Sequence, residues 1–311
     1  MGDAVLVTLP FFAVILGGWL AGKRRLLSPE GIVGLNSFVF LFALPCLLFR
    51  SMATRPIAEI ADLPFLAAYA GGGLPVFALA ALGGRLLFRH SPGLAALQGQ
   101  GSVVGNVGFL GLPLVIGLLG TGAALPVMLC LLVDLLVMVP LSIAFLERDR
   151  GRRDGQAGGW RGMVRSLVVN PFVLSMGGGI AWSATGIALP GPVDSLTALL
   201  GAAAGPAALF ALGATLAGRP LGHGFGEAAY LSVFKLAVHP LAVWLVMVPL
   251  TGTDPLWATA AVLVAACPVA GNLFVVARAF GVYTARASAA VLVSTAAGIA
   301  TFSLIAGLIA G

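Results

Sequence analysis

The sequence predicts an all-α integral membrane protein with ten transmembrane helices. Of its 311 residues, 59% are hydrophobic and only 9% are charged, and the mean hydropathy is +1.06. A soluble domain carries about 25% charged residues, and much of any folded surface stays in contact with its solvent. The apolar runs are nearly continuous and do not alternate as the strands of a membrane β-barrel do. We therefore expect lipid to surround most of this chain.

Ten apolar segments, separated by charges and by Pro/Gly clusters, are each close to the roughly 20 residues that a helix needs to cross a hydrocarbon core. No basic region precedes the first segment, so we interpret it as a retained helix and not as a cleaved signal peptide. The predicted spans are Ala4–Gly22, Ile32–Phe49, Leu63–Leu82, Leu97–Leu118, Leu125–Leu146, Leu167–Gly186, Val193–Ala217, Ala228–Leu250, Leu256–Ala277 and Ala287–Ala310.

The loops differ sharply in their content of Lys and Arg, and cytoplasmic loops carry the excess in membrane proteins. With the N-terminus outside, fourteen basic residues fall in inner loops and two in outer loops. The sequence therefore predicts a multi-pass protein of the cell membrane with both termini outside. The inner set is Lys23, Arg24, Arg25, Arg85, Arg89, Arg148, Arg150, Arg152, Arg153, Arg161, Arg165, Arg219, Arg278 and Arg286, and the outer set is Arg50 and Arg55.

A polar, Gly-rich stretch at residues 147–166 divides the chain into two halves of five spans, residues 1–146 and 167–311. We interpret it as a flexible cytoplasmic loop with orienting charge. An odd number of spans per half places the halves in opposite orientations, as in the inverted repeats of many secondary transporters. Three features recur in the same order: Pro-x-x-Leu-Phe at Pro45–Phe49 and Pro206–Phe210, the prolines Pro75 and Pro240, and Gly-Asn at Gly105–Asn106 and Gly271–Asn272.

The fourth and ninth spans are predicted to be interrupted, because Gly costs a helix about 1 kcal/mol and Pro about 3 kcal/mol. Matched interruptions in the two halves indicate a transporter's binding site. Backbone N–H groups and positive dipole ends would hold an anion there without a full positive charge nearby. The alternative is that these residues make close-packed kinks and interhelical hydrogen bonds. The candidate substrate-binding residues are Gly105, Asn106, Pro113, Pro268, Gly271 and Asn272.

Three ionisable residues lie inside predicted spans, where such groups are costly and usually functional. Asp134 is in the fifth span, and Lys235 and His239 are one turn apart in the eighth. We regard all three as candidates for ion or proton coupling, and the intrinsic pKa of histidine suits the proton. The alternatives are a structural ion pair between Asp134 and Lys235, and a His239 that fills polar space beside Pro240.

Several segments resemble the auxin efflux carrier family, in its compact prokaryotic branch. They are Asn36–Phe49, Gly105–Pro113, Leu209–Leu216, Cys267–Asn272 and Ala287–Thr295, in the family's order. The resemblance implies two inverted five-helix repeats with broken, crossing helices four and nine, marked by Asn106, Pro113, Pro268 and Asn272. It also implies a scaffold of spans 1, 2, 6 and 7 and a transport domain of spans 3, 4, 5, 8, 9 and 10 that moves like an elevator.

The sequence therefore predicts a secondary transporter of small organic anions, and the resemblance implies carboxylates such as auxin-like acids, malonate or malate. A sodium- or proton-coupled symporter or antiporter of a related fold is the alternative. A channel is disfavoured by the inverted repeat, and an enzyme by the absence of catalytic motifs such as His-Glu-x-x-His. Three isolated cysteines indicate no metal site. We expect no cofactor and no nucleic acid partner, and a homodimer stays open.

Overall fold

A computed structural model of the chain describes residues 2–154, 169–217 and 224–309. These residues are helical or lie in short connections, and their only β pairing is an isolated bridge between Gly105 and Val269. The helices are α1 (Gly2–Lys23), α2 (Pro29–Ala53), α3 (Ile57–Ile60), α4 (Leu63–Leu87), α5 (Pro92–Val103), α6 (Val107–Leu119), α7 (Thr121–Gly151), α8 (Pro171–Ser183), α9 (Gly191–Ala217), α10 (Phe225–Leu250), α11 (Pro255–Ala265), α12 (Asn272–Ala279) and α13 (Thr284–Ile309).

Six described stretches of helix are long and apolar enough to cross a membrane: α2, α3 with α4, α7, α9, α10 and α13. Large apolar side chains such as Leu82, Leu199 and Leu308 are exposed on their outer faces. Such surfaces suit a lipid solvent, in which a helix satisfies its own backbone groups. The predicted fourth and ninth spans are each divided into two shorter helices, α5 with α6 and α11 with α12.

Helical structure continues past Leu146, where the fifth predicted span ends, as far as Asp154. Hydropathy marks where the apolar core ends, whereas Glu and Arg continue a helix readily once it has left that core. The expected loop at residues 147–166 therefore begins as helix. Its remainder from residue 155, including Arg161 and Arg165, lies outside the described residues, as do Leu167, Arg219 and Ala310.

Glycines allow α1 and α9 to pack with their backbones in contact. A Cβ atom built on Gly18 would lie 2.0 Å from the carbonyl oxygen of Phe210, and one on Gly213 would lie 1.9 Å from that of Ile15. Gly22 follows Gly18 one turn later and faces the same helix. This Gly-xxx-Gly spacing is typical of close membrane-helix pairs, since no side chain separates the two backbones.

Helix α2 packs against this pair, and α8 packs against α2. Hydrogen bonds join α2 to α9, and a close backbone contact joins α8 to α2. The Asn36 amide donates to the Thr215 hydroxyl over 3.0 Å, and Arg50 Nε donates to Asp194 Oδ1 over 2.7 Å, so α2 is bound to α9 near both of its ends. A Cβ on Gly179 of α8 would meet the backbone of α2, so these two helices also touch directly. Helices α1, α2, α8 and α9 thus form one packed group.

Helices α4, α5, α7, α10, α11 and α13 pack around the two interruptions. A Cβ on Gly99 of α5 would lie 2.8 Å from the carbonyl oxygen of Phe77 in α4. Likewise, Gly72 of α4 abuts the backbone of Val243 in α10. Small residues therefore bring these helices close enough for side chains of α4, α7 and α10 to meet at the interruptions.

Candidate functional site

The two predicted interruptions lie side by side and pair with each other. Val104 and Asn106 have left the helical conformation, with ψ angles of 111° and 57°. The Asn106 N–H donates to the carbonyl oxygen of Pro268 over 2.8 Å, and the Ala270 N–H donates to that of Val104 over 3.2 Å. Antiparallel pairing thus satisfies backbone groups that would otherwise be unpaired at this depth. We call this paired segment, residues 104–106 and 266–271, the helix break.

The centre of the helix break leaves little room for a side chain at Gly105. A Cβ atom on Gly105 would lie 3.2 Å from the Cys267 Cβ atom, from the Lys235 Nζ atom and from the carbonyl oxygen of Val264. A contact of that kind is tighter than ordinary van der Waals packing. At Gly271, by contrast, a Cβ would meet nothing within 4 Å. The two glycines of the predicted repeat therefore have different surroundings.

The other predicted substrate-binding residues take different places around the helix break. Asn106 is buried immediately before α6, and Asn272 is the first residue of α12. Pro268 lies in the helix break and accepts the Asn106 hydrogen bond. Pro113 lies nearly two turns into α6, away from the break, where its side chain faces Gly205 of α9. The structure thus brings five of the six candidates to the helix break.

Two helix N-termini and two helix C-termini meet at the helix break, because α6 and α12 begin where α5 and α11 end. The N-termini carry partial positive charge on their unpaired N–H groups, and the C-termini carry the opposite charge. Lys235 of α10 binds the C-terminal side by donating to the carbonyl oxygen of Ala265, the last residue of α11. A cation therefore already occupies one negative dipole end.

Lys235 adds a full positive charge beside the interruptions. The Lys235 ammonium is fully buried next to Gly105, although an anion site built from helix ends does not require such a charge. It also lies 3.2 Å from Nδ1 of His239, one turn along α10. All three ionisable candidates are therefore next to the helix break, since Asp134 has Lys235 and the Gly105 backbone as its electrostatic neighbours.

Asp134 does not form the direct ion pair with Lys235 that the sequence left open. Both residues are described, yet neither carboxylate oxygen has a hydrogen-bond partner in the structure. Tyr69 of α4 completes the group: its ring contacts His239 at a centroid distance of 6.0 Å, and its hydroxyl is buried and unpaired. We call Tyr69, Asp134, Lys235 and His239 the Asp134 cluster.

Sequence analysis missed three polar residues that line the helix break from other helices. Gln100 lies one turn before it on α5 and accepts a hydrogen bond from Ser142 of α7. Ser294 of α13 accepts a hydrogen bond from the Val269 N–H over 3.1 Å. The sequence feature that could have revealed them is a polar residue within an apolar span, because burying polar groups in a membrane is energetically unfavourable. It does not distinguish them from serines that bond to their own helix, such as Ser232.

Buried side-chain atoms without a hydrogen-bond partner are concentrated in this part of the described chain. Native proteins leave few such atoms unpaired, because each costs about 1–3 kcal/mol. Seven occur among the described residues, and six of them belong to the Asp134 cluster or to residues at or within one turn of the helix break. The atoms are Tyr69 Oη, Gln98 Oε1, Gln100 Nε2, both carboxylate oxygens of Asp134, His239 Nε2 and Asn272 Oδ1.

Comparison with known proteins identifies the class to which this chain belongs. Residues 4–158 and 160–306 match the family model described as "Membrane transport protein". The protein belongs to this family. Its relatives include auxin efflux carrier-type transporters, in agreement with the resemblance seen in the sequence, and membership indicates transport rather than catalysis.

Two relatives extend along almost the whole transporter. A protein of Rhizobium meliloti (strain 1021) named "Putative malonate transporter" is 34% identical over 301 residues, which cover 97% of this chain and 94% of that protein. The "Uncharacterized transporter YfdV" of Escherichia coli (strain K12) is 26% identical over 291 residues, covering 92% of this chain and 91% of that protein. The similarity thus includes both interrupted segments.

The transporter has a second buried charged group, at one end of the bundle. Glu227, near the start of α10, accepts hydrogen bonds from His90 and Gln98 over 2.8 and 2.7 Å, and its other oxygen lies 3.1 Å from Arg286. Gln98 also donates to the hydroxyl of Tyr283 over 3.0 Å. Burial raises the pKa of the Tyr283 phenol, so this hydroxyl stays protonated. We call these five residues the Glu227 cluster.

No group of three or more His, Cys, Asp or Glu side chains with metal-binding geometry occurs in the described part of the chain. The available chemistry at the helix break is therefore that of backbone dipoles, amides and one buried acid–base cluster. These groups can bind, orient and exchange protons with a polar solute.

Proposed function

We propose that this protein is a secondary carrier of small carboxylate anions, with malonate-like dicarboxylates as the first candidates, and that it binds them at the helix break. The observation that carries the proposal is the paired break itself, where two helix N-termini and most of the buried unpaired polar atoms gather. The printed name of the Rhizobium meliloti relative supports malonate as the first acid to test.

The electrostatics of the helix break favour an anion. The N-termini of α6 and α12 present positive dipole ends, and helix N-termini bind carboxylates and phosphates well. Lys235 adds a full positive charge on the far side of Gly105. The Asn272 side chain has a buried oxygen without a hydrogen-bond partner, and an amide offers either its oxygen or its NH₂ group after rotation. A carboxylate can therefore replace its hydration shell with fixed dipoles.

Alternating access by an elevator motion accounts for the packing of the helices. In this proposal ten spans form two inverted repeats, α1, α2, α8 and α9 serve as the scaffold, and the helices around the break move as the transport domain. The face of α6 toward the scaffold is built from small residues and one proline. Gly108 meets Phe172 of α8, Pro113 meets Gly205 of α9, and Gly117 meets the Phe11 ring of α1. Small residues bring the α6 backbone close to the scaffold and leave few side chains of α6 itself to obstruct a sliding movement.

Uptake of labelled mono- and dicarboxylates into proteoliposomes tests the proposal. The wild type is expected to take up one acid with saturation and to exchange it in counterflow, which a channel does not do. Asn106→Ala and Asn272→Ala should each lower the rate about five- to thirtyfold, because each removes polar groups worth about 1–2 kcal/mol at the site.

Asn36→Ala is the matched control, since it removes the same amide from the contact between α2 and α9. It should transport at nearly the wild-type rate. Normal uptake by both break variants would place the binding site elsewhere. Uptake without counterflow would indicate a channel.

The proposed topology places both termini outside. A reporter that is active only in the cytoplasm, fused after Gly311, should be inactive. Activity of that reporter would place the C-terminus in the cytoplasm. It would contradict either the outside N-terminus or the even number of spans.

A further inference from the structure

The helix break lies between the Asp134 cluster and the helices that we propose to be the scaffold. A Cβ on Gly105 would point to the Lys235 ammonium, whereas one on Gly108 of α6 would point to Phe172 and Leu44, which belong to α8 and α2. The helix break therefore separates a face directed at α2 and α8 from the buried cluster. A charge on one side acts on the other through a single layer of backbone.

The charges of this cluster are few and almost completely enclosed. Lys235 is 0% exposed and Asp134 is 1% exposed. Other titratable groups near Asp134 are Tyr69 from α4, His239 from α10, Cys130 from its own helix and Cys267 from the helix break. With Asp134 ionised and Lys235 charged, the cluster is neutral overall. With Asp134 protonated, it carries one positive charge.

A bound anion changes which of these two states is favoured. Charges a few ångströms apart interact strongly where water is excluded, so a carboxylate at the helix break repels an ionised Asp134 and is attracted by an uncompensated Lys235. Protonation of Asp134 removes the repulsion and leaves one positive charge to balance the anion. By linkage, anion binding and proton binding then strengthen each other equally.

The partners of Asp134 suit a proton better than a metal cation. Its two oxygens accept no side-chain hydrogen bond, and near it lies the Tyr69 phenol, whose ring contacts the His239 imidazole; Tyr69 and His239 also have unpaired polar atoms. Such chains of acid, imidazole and hydroxyl groups carry protons in membrane transporters. A sodium ion would instead need several oxygen ligands, and it would be placed close to the Lys235 ammonium, which repels it.

We propose that Asp134 is the coupling site for protons: it takes up one proton for each substrate anion bound at the helix break and releases that proton when the anion leaves. Lys235 stays charged and balances the anion while Asp134 is neutral. The proton comes from water on the side where the anion enters and is delivered to water on the other side, so no further reactant is needed. This inference rests on the proposed function and specifies its energy source.

Proteoliposomes that contain a pH-sensitive dye test the coupling, with labelled malonate as the probe in sodium-free buffer. Wild-type uptake should acidify the lumen with about one proton per malonate, and an inward proton gradient should drive accumulation. The apparent malonate affinity should rise by up to about tenfold for each unit that pH falls, at pH values above both pKa values of malonic acid. Malonate uptake by the wild type without proton movement would overturn the proposal.

Asp134→Asn separates coupling from binding. Because Asn resembles the protonated acid, this variant should keep malonate counterflow, lose proton influx and bind malonate with an affinity that no longer changes with pH. Asp134→Glu, which retains a carboxyl group, should regain proton influx. Proton influx that persists in Asp134→Asn would show that the proton travels on the substrate or on another residue, and so would overturn the role of Asp134.

Two further results distinguish this proposal from the proposed function. Absence of counterflow of every tested carboxylate in the folded wild type, both with and without sodium, would overturn both proposals together, because coupling requires binding. Counterflow that appears only when sodium is present would leave the carrier standing and overturn the proton proposal alone.

Discussion

The two buried charged clusters of this transporter differ in how completely their acidic group is hydrogen-bonded. Glu227 has partners on three sides, supplied by the turn after α4, by α5 and by the start of α13. Asp134 is more deeply buried, forms no hydrogen bond of good geometry with a side chain, and has the Gly105 backbone and the Lys235 charge as close partners. Both carboxyls are conspicuous in a chain with so few charges, yet their surroundings are opposite.

We infer from this difference that Glu227 has a structural role and that Asp134 is the acid to test for a role in transport. A buried charge that stabilises a fold needs hydrogen bonds to offset its lost hydration, and Glu227 has them. An acid that must gain and lose a proton, or respond to an arriving anion, cannot be held in one state by fixed partners. The cost of leaving Asp134 unpaired is therefore expected at a site whose partner arrives during transport.

The largest expected effect is the loss of stability in Glu227→Ala. This change leaves His90 and Arg286 without their shared acceptor, and breaking a buried pair costs about 3–5 kcal/mol. Asp134→Asn, its counterpart, should cost less, about 1–2 kcal/mol, because the amide oxygen can still accept from the Gly105 backbone and only the attraction to Lys235 is lost. Denaturant unfolding of the purified protein in detergent measures both. Equal losses would remove the distinction between the clusters.

A smaller effect is expected from a methyl group at the helix break. Gly105→Ala should cost about 1–3 kcal/mol, because its Cβ must displace Lys235 or the backbone around Val264. Gly271→Ala is the control: its φ is −62° and the space around it is open, so it should be neutral within about 1 kcal/mol. Thermal unfolding and malonate counterflow should fall together in the first variant. A loss of stability and counterflow in Gly271→Ala but not in Gly105→Ala would contradict the tighter packing around Gly105.

Removing one hydroxyl from each cluster should change the free energy of unfolding differently in the two clusters. Tyr283→Phe deletes the acceptor of the Gln98 hydrogen bond and should cost about 1 kcal/mol. Tyr69→Phe deletes a hydroxyl that has no partner, so it should be neutral or stabilise by up to about 1 kcal/mol. The midpoints of denaturant unfolding compare the two variants directly. Destabilisation by Tyr69→Phe would indicate that this hydroxyl is bonded in the folded protein.

The smallest effect is expected for Arg286→Met. The Arg286 side chain is 44% exposed, and ion pairs open to solvent contribute about 0.2–1 kcal/mol. The loss should be about 0.5 kcal/mol and should shrink as salt is added, since salt screens exposed pairs. Unfolding at low and high ionic strength measures it. A loss as large as that of Glu227→Ala would assign most of the cluster's stability to this one pair.

Much of the architecture could be read from local patterns. Continuous apolar runs predicted a helical membrane protein, and Gly and Pro at corresponding places predicted the interruptions near Asn106 and Asn272. Helix bounds were less predictable, as the extension of helix to Asp154 shows, because hydropathy records the lipid boundary and not the end of hydrogen bonding. The ten-span count, the repeat and the sides of the termini stay predictions.

The sequence by itself determined that lipid surrounds this chain and where its helices are interrupted, since both depend on residues that are neighbours in the chain. The length of the apolar runs determines the first, and the missing N–H group of Pro and the missing Cβ of Gly determine the second. Only the tertiary structure decided which polar residues meet. Tyr69, Asp134 and Lys235 lie on three helices far apart in the chain, and periodicity does not reveal which helix faces touch. The same packing bonds Glu227 and leaves Asp134 unpaired, because partners are supplied by neighbouring helices in space and not by neighbours in sequence.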